Sequence, residues 1–208
     1  MDNEKNAEVN EVAKKKEKRF TRDQIKNITF NAIGIALFVA LSMCLRVPVF
    51  DNYYLCLGYV VMTVYIWSFK WYDGAIVGFF GVWLYCLVGS LGFNGAPGWA
   101  LGNVAIGLIL GLFLKAIKFF NKGREKTARS RVGMTIAVAI VAIIATFIGI
   151  EIIKSAVDSF VVAQPFGVRF VKNFSSFVAD AFVIVFSLPI CIVVDKVARI
   201  ARYGTTEE

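Results

Sequence analysis

VGMTIAVAIVAIIATFIGIEII, Val132–Ile153, runs for 22 residues with a single charged side chain, Glu151, near its far end. An α-helix rises about 1.5 Å per residue, so such a stretch covers a bilayer core of about 30 Å. It reads as a membrane span, with helix continuing toward Val161. Five similar stretches surround it: Ile28–Arg46, Tyr53–Phe69 (short), Gly74–Gly92, Gly98–Phe119 and Asn173–Val194. Composition agrees. Hydrophobic residues make up 58% of the 208 and charged ones 18%, against about 45–50% and about 25% in soluble domains. The mean hydropathy is +0.66. The expected fold is all-α: a polytopic bundle of six transmembrane helices.

Lys and Arg are distributed very unevenly. With six spans, 19 of the 23 lie on one side: the N-terminal arm, Lys70, the loop around Lys115–Arg131, and Lys196, Arg199 and Arg202. Only Arg46, Lys154, Arg169 and Lys172 lie on the other. The positive-inside rule then places both termini in the cytoplasm. The net charge of +8 reflects topology and a match to anionic lipid heads. Nucleic acid is not an expected partner, because the basic residues flank spans and form no reading element. The domain reading is a basic cytoplasmic N-terminal arm at 1–20, a six-helix membrane domain at 21–202 and a cytoplasmic tail at 203–208. The arm has the composition of a disordered segment. Thr21-Arg22-Asp23-Gln24 has capping-box form and starts the first helix. The first apolar run is too long and too far from Met1 for a signal-peptide core. Lys70-Trp71-Tyr72-Asp73-Gly74 makes a tight turn. The uncharged Gly92–Gly98 segment is a loop on the outer side.

Several chemistries are excluded. The chain has no histidine, so Ser-His-Asp triads and His-ligated zinc sites are absent. Cys44, Cys56, Cys86 and Cys191 lack metal or redox spacing and read as buried thiols. No Walker A motif occurs, and no nucleophile has a base beside it. Neither catalytic residues nor a cofactor is expected.

Small residues mark where helices approach closely. Gly74 and Gly78 in the third span, and Gly107 and Gly111 in the fourth, read as internal packing. Ala32, Ala36 and Ala40 form a stripe on one face of the first helix, suited equally to packing or to docking a partner. Polar residues at membrane depth are costly, about 2.5–3.5 kcal/mol when charged and central, and tend to be functional. Asp180 falls about seven residues inside the sixth span, counted from its outer end, and Asn103 at a similar depth in the fourth, after Trp99. Asp180 and Asn103 have Lys154 or Arg169 available as counter-charges. Glu151, Lys154 and Asp158 read as a solvated helix end, with Glu151 and Lys154 also within reach of a ligand. Tyr53, Tyr54, Phe93, Trp99, Phe166, Phe170, Phe174 and Phe177 crowd the same level. Most belong to an interfacial belt; Trp99 and Phe177 remain for a flat, partly polar small molecule. The candidate substrate-binding set is Trp99, Asn103, Glu151, Lys154, Phe177 and Asp180.

With the alanine stripe, Leu57-Gly58-Tyr59, Gly74-Ala75-Ile76-Val77-Gly78, and Pro97-Gly98-Trp99-Ala100-Leu101-Gly102-Asn103 leading into Gly107–Gly111, the chain resembles a known family. It is similar to the substrate-binding S components of energy-coupling factor (ECF) transporters, over nearly all of Thr21–Arg202. The resemblance implies a six-helix bundle in the cell membrane of a prokaryote, capturing a vitamin or related micronutrient at the outer face. It implies a membrane coupling protein docked on the first helices, where Ala32, Ala36 and Ala40 lie, and a pair of ABC ATPases that supply the energy. The chain itself would not be an enzyme. Aromatics favour a ring-bearing ligand, whereas Lys154, Arg169 and Lys172 would suit an anionic vitamin. A self-sufficient secondary carrier and a non-transporting membrane scaffold are the rival readings.

Overall fold

The structure is a computed structural model that describes residues 24–44, 47–50, 53–89, 96–120 and 128–203. The readings on the arm at 1–20, the capping box, Arg46, Phe93, the loop at 92–95, the basic residues 122–126 and the tail from 204 lie outside the described residues. In chain order the elements are α1 (Gln24–Cys44), β1 (Val47–Phe50), β2 (Tyr53–Leu55), α2 (Gly58–Ser68) and α3 (Asp73–Val88). They continue with α4 (Ala96–Phe120), α5 (Ala128–Thr146), a π-helical stretch (Phe147–Lys154), α6 (Ser155–Val161) and α7 (Phe166–Tyr203). α5, the π stretch and α6 run on as one rod, which gives six helical rods among the described residues.

Helix dominates, as expected, and the rod through Val161 continues where the sequence placed it. Two details differ from the six-span reading. Four rods are long and apolar enough to cross a membrane: Gln24–Cys44, Ala96–Phe120, Val132–Val161 and Phe166–Tyr203. α2 has 11 residues and α3 has 16, or about 16 and 24 Å at the usual rise. The second span is short because its first residues are not helical. Tyr53–Leu55 pairs antiparallel with Val47–Phe50, and Pro48 lies in that ribbon. A proline lacks the N–H that a helix needs, so α1 cannot continue through it. The sixth rod departs the other way, starting seven residues earlier than Asn173. Asp180 is therefore 14 residues along α7, about 21 Å from its start.

Glycines let the rods meet backbone to backbone. A Cβ on Gly107 would lie 2.6 Å from Ala75 of α3, and one on Gly111 would strike the Trp71 carbonyl. Gly102 of α4 and Gly149 of the π stretch are reciprocal, each Cβ position 2.5 Å from the other's carbonyl oxygen. α4 thus sits between α3 and the π stretch. The fully buried Phe38 of α1 packs on Gly81 of α3 and Gly58 of α2, with its ring 6.1 Å from Tyr59. Internal packing is the role the structure gives the glycine pairs. The alanine stripe has a different place: Ala32, Ala36 and Ala40 are all exposed. Of the four thiols, Cys56, Cys86 and Cys191 are buried as expected, but Cys44 is exposed.

At the end of the bundle that carries the start of α1 and the end of α7, one buried ion pair ties four segments together. Arg202 of α7 donates to Asp73 Oδ2 at 2.6 Å and to Asn27 Oδ1 of α1 at 2.7 Å. Asn31 Nδ2 reaches Asp73 Oδ1 at 3.2 Å, and the Lys70 amide reaches Oδ2 at 3.1 Å, which closes the tight turn before α3. The Arg202 guanidinium lies 4.7 Å from the Phe69 ring centroid. Arg202 is 3% exposed and Asp73 fully buried. By charge pattern Arg202 is one of the cations that orient the chain; the fold also makes it a clamp. Removing one partner of such a pair leaves a buried charge uncompensated, at about 3–5 kcal/mol. Asp73→Ala should accordingly lower the thermal stability of the purified protein sharply. Adding Arg202→Met to it should recover most of the loss, because no lone charge then remains.

Candidate functional site

The ribbon-bearing end of the bundle gathers polar side chains from four rods. Tyr59, in the first turn of α2, stands at the centre. Its hydroxyl donates to Asn103 Oδ1 at 2.8 Å and accepts from Trp99 Nε1 at 2.7 Å. Asn103 Nδ2 donates onward to the Gly78 carbonyl of α3 at 3.3 Å. Trp99 and Asn103 are one helical turn apart on α4, so both point to the same side. The Trp99 ring meets Tyr85 of α3 edge-on at 5.7 Å. Asn103 and Tyr59 are fully buried and Trp99 half-buried.

Asp180 approaches this chain from α7. Its Oδ2 accepts from Ser176 Oγ, one turn earlier, at 3.4 Å, and its carboxylate interacts with the Tyr59 hydroxyl and with Lys154. Asp180 is 3% exposed. A lone charge there would be costly; Ser176 Oγ is the hydrogen-bond donor that the structure places on it, with Lys154 acting on it as a counter-charge.

A second cluster joins α6 to α7. Lys154 Nζ donates to Asn173 Oδ1 and lies 4.0 Å from Asp158 Oδ2. Asn173 Nδ2 donates to Ser155 Oγ at 2.9 Å and to Asp158 Oδ2 at 3.5 Å. Gly98, in the first turn of α4, has no side chain because the Asp158 carboxylate occupies that space. A carboxylate over a helix start meets the positive end of its dipole. These residues are therefore not a solvated helix end, contrary to the sequence reading. The side chains of Lys154 and Asp158 are 12% and 5% exposed, and Glu151 is completely buried. The cause is tertiary: α7 begins early enough to lie along α6 and shield it.

The structure thus brings together Trp99, Asn103, Asp180 and, through its attraction to Asp180, Lys154. Two further candidates sit apart. Phe177 joins an aromatic group, 5.5 Å from Phe147 and 5.9 Å from Phe174. Glu151 lies in the π stretch, and neither of its oxygens has a hydrogen-bond partner. Widened i→i+5 turns frequently mark functional positions. Arg169, offered as a counter-charge, has its Nε buried without a partner, and the cation that acts on Asp180 is Lys154. Sequence reasoning missed Tyr59 as a site residue. A tyrosine in an otherwise apolar helix start carries a polar handle that needs a partner, and that was the available signal. Ser155 and Ser176 gave none.

The fold is a bundle of apolar helices, four of them of membrane-spanning length, with a polar, aromatic cluster at one end. The chain belongs to the S-component family described as "ECF-type riboflavin transporter, S component", whose model matches residues 22–196. By fold it is similar to the crystal structure of the S component for biotin from an ECF-type ABC transporter. That match has a TM-score of 0.57 and 15% identity, covering 84% of this chain and 93% of the other. Two proteins of Streptococcus thermophilus strains, both called UPF0397 protein, are 30% identical over 94 residues. This stretch is 45% of the chain and spans half the length of those relatives. S components are the substrate-binding subunits of such transporters, not enzymes in themselves.

Proposed function

We propose that this S component captures a ring-bearing vitamin at the ribbon-bearing end of the bundle and delivers it inward with partner subunits. The observation that carries this reading is the Trp99–Tyr59–Asn103 chain with Asp180 facing it. It provides an indole, a phenol, an amide and a carboxylate within one small volume. These groups can stack on a flat ring and exchange hydrogen bonds with its edges. Lys154 adds a cation beside Asp180, whereas Glu151 and Phe177, which sit apart in the closed bundle, would reach a ligand only on rearrangement. In this reading the bundle is closed, and ligand replaces some of the bonds the side chains now make with each other.

The distribution of Lys and Arg supports an orientation with both termini in the cytoplasm and the site facing out. The basic arm at 1–20 and the tail at 203–208 then lie inside, and the membrane is the prokaryotic plasma membrane. The exposed Ala32, Ala36 and Ala40 offer a flat strip on α1 for a membrane coupling protein, which would link the chain to two ABC ATPases. Riboflavin, from the family's description, is the first ligand to test, and biotin, for which the structural neighbour is an S component, the second. Mass spectrometry of compounds that copurify with the detergent-solubilised chain should find a vitamin, and titration should return its affinity. If no vitamin copurifies and none binds, the membrane-scaffold reading takes its place. Solute accumulation in vesicles containing this chain alone would instead favour a self-sufficient carrier, with the unpartnered Glu151 as its ionisable group.

A further inference from the structure

The opposite end of the bundle holds a cavity of about 280 Å³ lined by Lys26, Asn27, Lys70, Arg202 and Tyr203. Three cations face it, and among the described residues the Asp73 carboxylate bound to Arg202 compensates only one of them. Arg202 is 3% exposed, and its Nε has no hydrogen-bond partner although Nη1 and Nη2 are both used. A buried donor left over beside two lysines calls for an acceptor that brings negative charge. Lys26 is exposed and Lys70 half-buried, so the cavity opens at the surface of the bundle rather than into its core.

The surroundings point to a membrane lipid as the source of that charge. Lys26, Ile33 and Leu37 lie seven and four residues apart and therefore share one face of α1. Ile33 is 47% and Leu37 48% exposed, which leaves an apolar track leading from the cavity along the helix. Trp71 and Tyr72, in the turn next to Lys70, are half-buried and are the residue types found at headgroup level. Basic pockets between helix ends are suited to phosphate heads.

We propose that the Lys26–Lys70–Arg202 cavity binds the phosphodiester of an anionic phospholipid, with an acyl chain lying along Ile33 and Leu37. The headgroup bridges α1, the α2–α3 turn and the end of α7, the segments that the Arg202–Asp73 pair already holds together. The site is independent of the ligand cluster at the ribbon-bearing end and of the transported substrate.

Native mass spectrometry of the delipidated full chain tests this, using dioleoylphosphatidylglycerol, dioleoylphosphatidylcholine or inorganic phosphate alone as probes. The expected result is one phosphatidylglycerol retained in preference to phosphatidylcholine, with occupancy falling fivefold or more in Lys26→Gln/Lys70→Gln. Both lysines lie outside the ion pair, so a thermal melt should show the variant folded. Lys172→Gln/Lys196→Gln removes the same charge from exposed positions away from the cavity and should keep the lipid. Equal retention by the Lys26/Lys70 variant would overturn the site, and equal loss by the control would reduce it to diffuse attraction. Inorganic phosphate that occupied the cavity and displaced the lipid at equal concentration would make the occupant a free anion and overturn the lipid assignment.

Discussion

Asp180→Ala should weaken vitamin binding tenfold or more, which is about 1.4 kcal/mol of binding free energy. The expectation follows from where the carboxylate sits. It is 3% exposed on α7 and faces Tyr59, Ser176 and Lys154, so a ligand donor reaching it meets little competition from water. A charge-assisted hydrogen bond in such a setting is stronger than a neutral one. The variant also strips a partner from Ser176, so folding must be read separately. Asp180→Asn keeps the shape and removes the charge. Melting curves of both variants, beside equilibrium titration with the copurified vitamin, separate the two effects. Affinity unchanged in a folded Asp180→Ala protein would remove this residue from the proposed site.

Ala36→Trp should abolish uptake while leaving ligand binding to the purified chain nearly intact. Ala36 is exposed between Ala32 and Ala40, while the buried face of α1 holds Phe38 against Gly58 and Gly81. An indole at position 36 therefore projects away from the bundle and disturbs no internal contact. It would, however, hold any partner helix away from a strip that now offers only methyl groups. Small residues favour helix contact in lipid because the backbones can come close. Transport assays with the complete assembly and titration of the isolated chain supply the two readouts. If binding and uptake fell together, α1 would not be a docking face of the proposed kind.

Much of the architecture was legible in the residues because membrane spans declare themselves by length and polarity. Val132–Ile153 lacks charge until Glu151, and its helix continues to Val161. Gly107 and Gly111 marked a close approach, which the structure gives to Ala75 and Trp71. The short second helix was harder to delimit. Tyr53–Leu55 is as apolar as the helix that follows, and only its pairing with Val47–Phe50 makes it a strand. Trp99 and Asn103 were recognisable from their depth near the outer end of the fourth span, whereas Tyr59 acquires its central role from residues 40 and 44 positions away.

The sequence by itself determined that this chain lives in a membrane as a helical bundle, since a run of apolar residues leaves the backbone no other way to satisfy its polar groups in lipid. It also limited the chemistry, having neither histidine nor a nucleotide loop. The tertiary structure alone decided which polar groups are buried and with whom. Arg202 reaches Asp73 across 129 positions, and α7 lies over Lys154 and Asp158 where a solvated end had been expected. Charge pattern records how many cations a segment carries, but burial depends on which rod packs beside it, and that contact is not written locally.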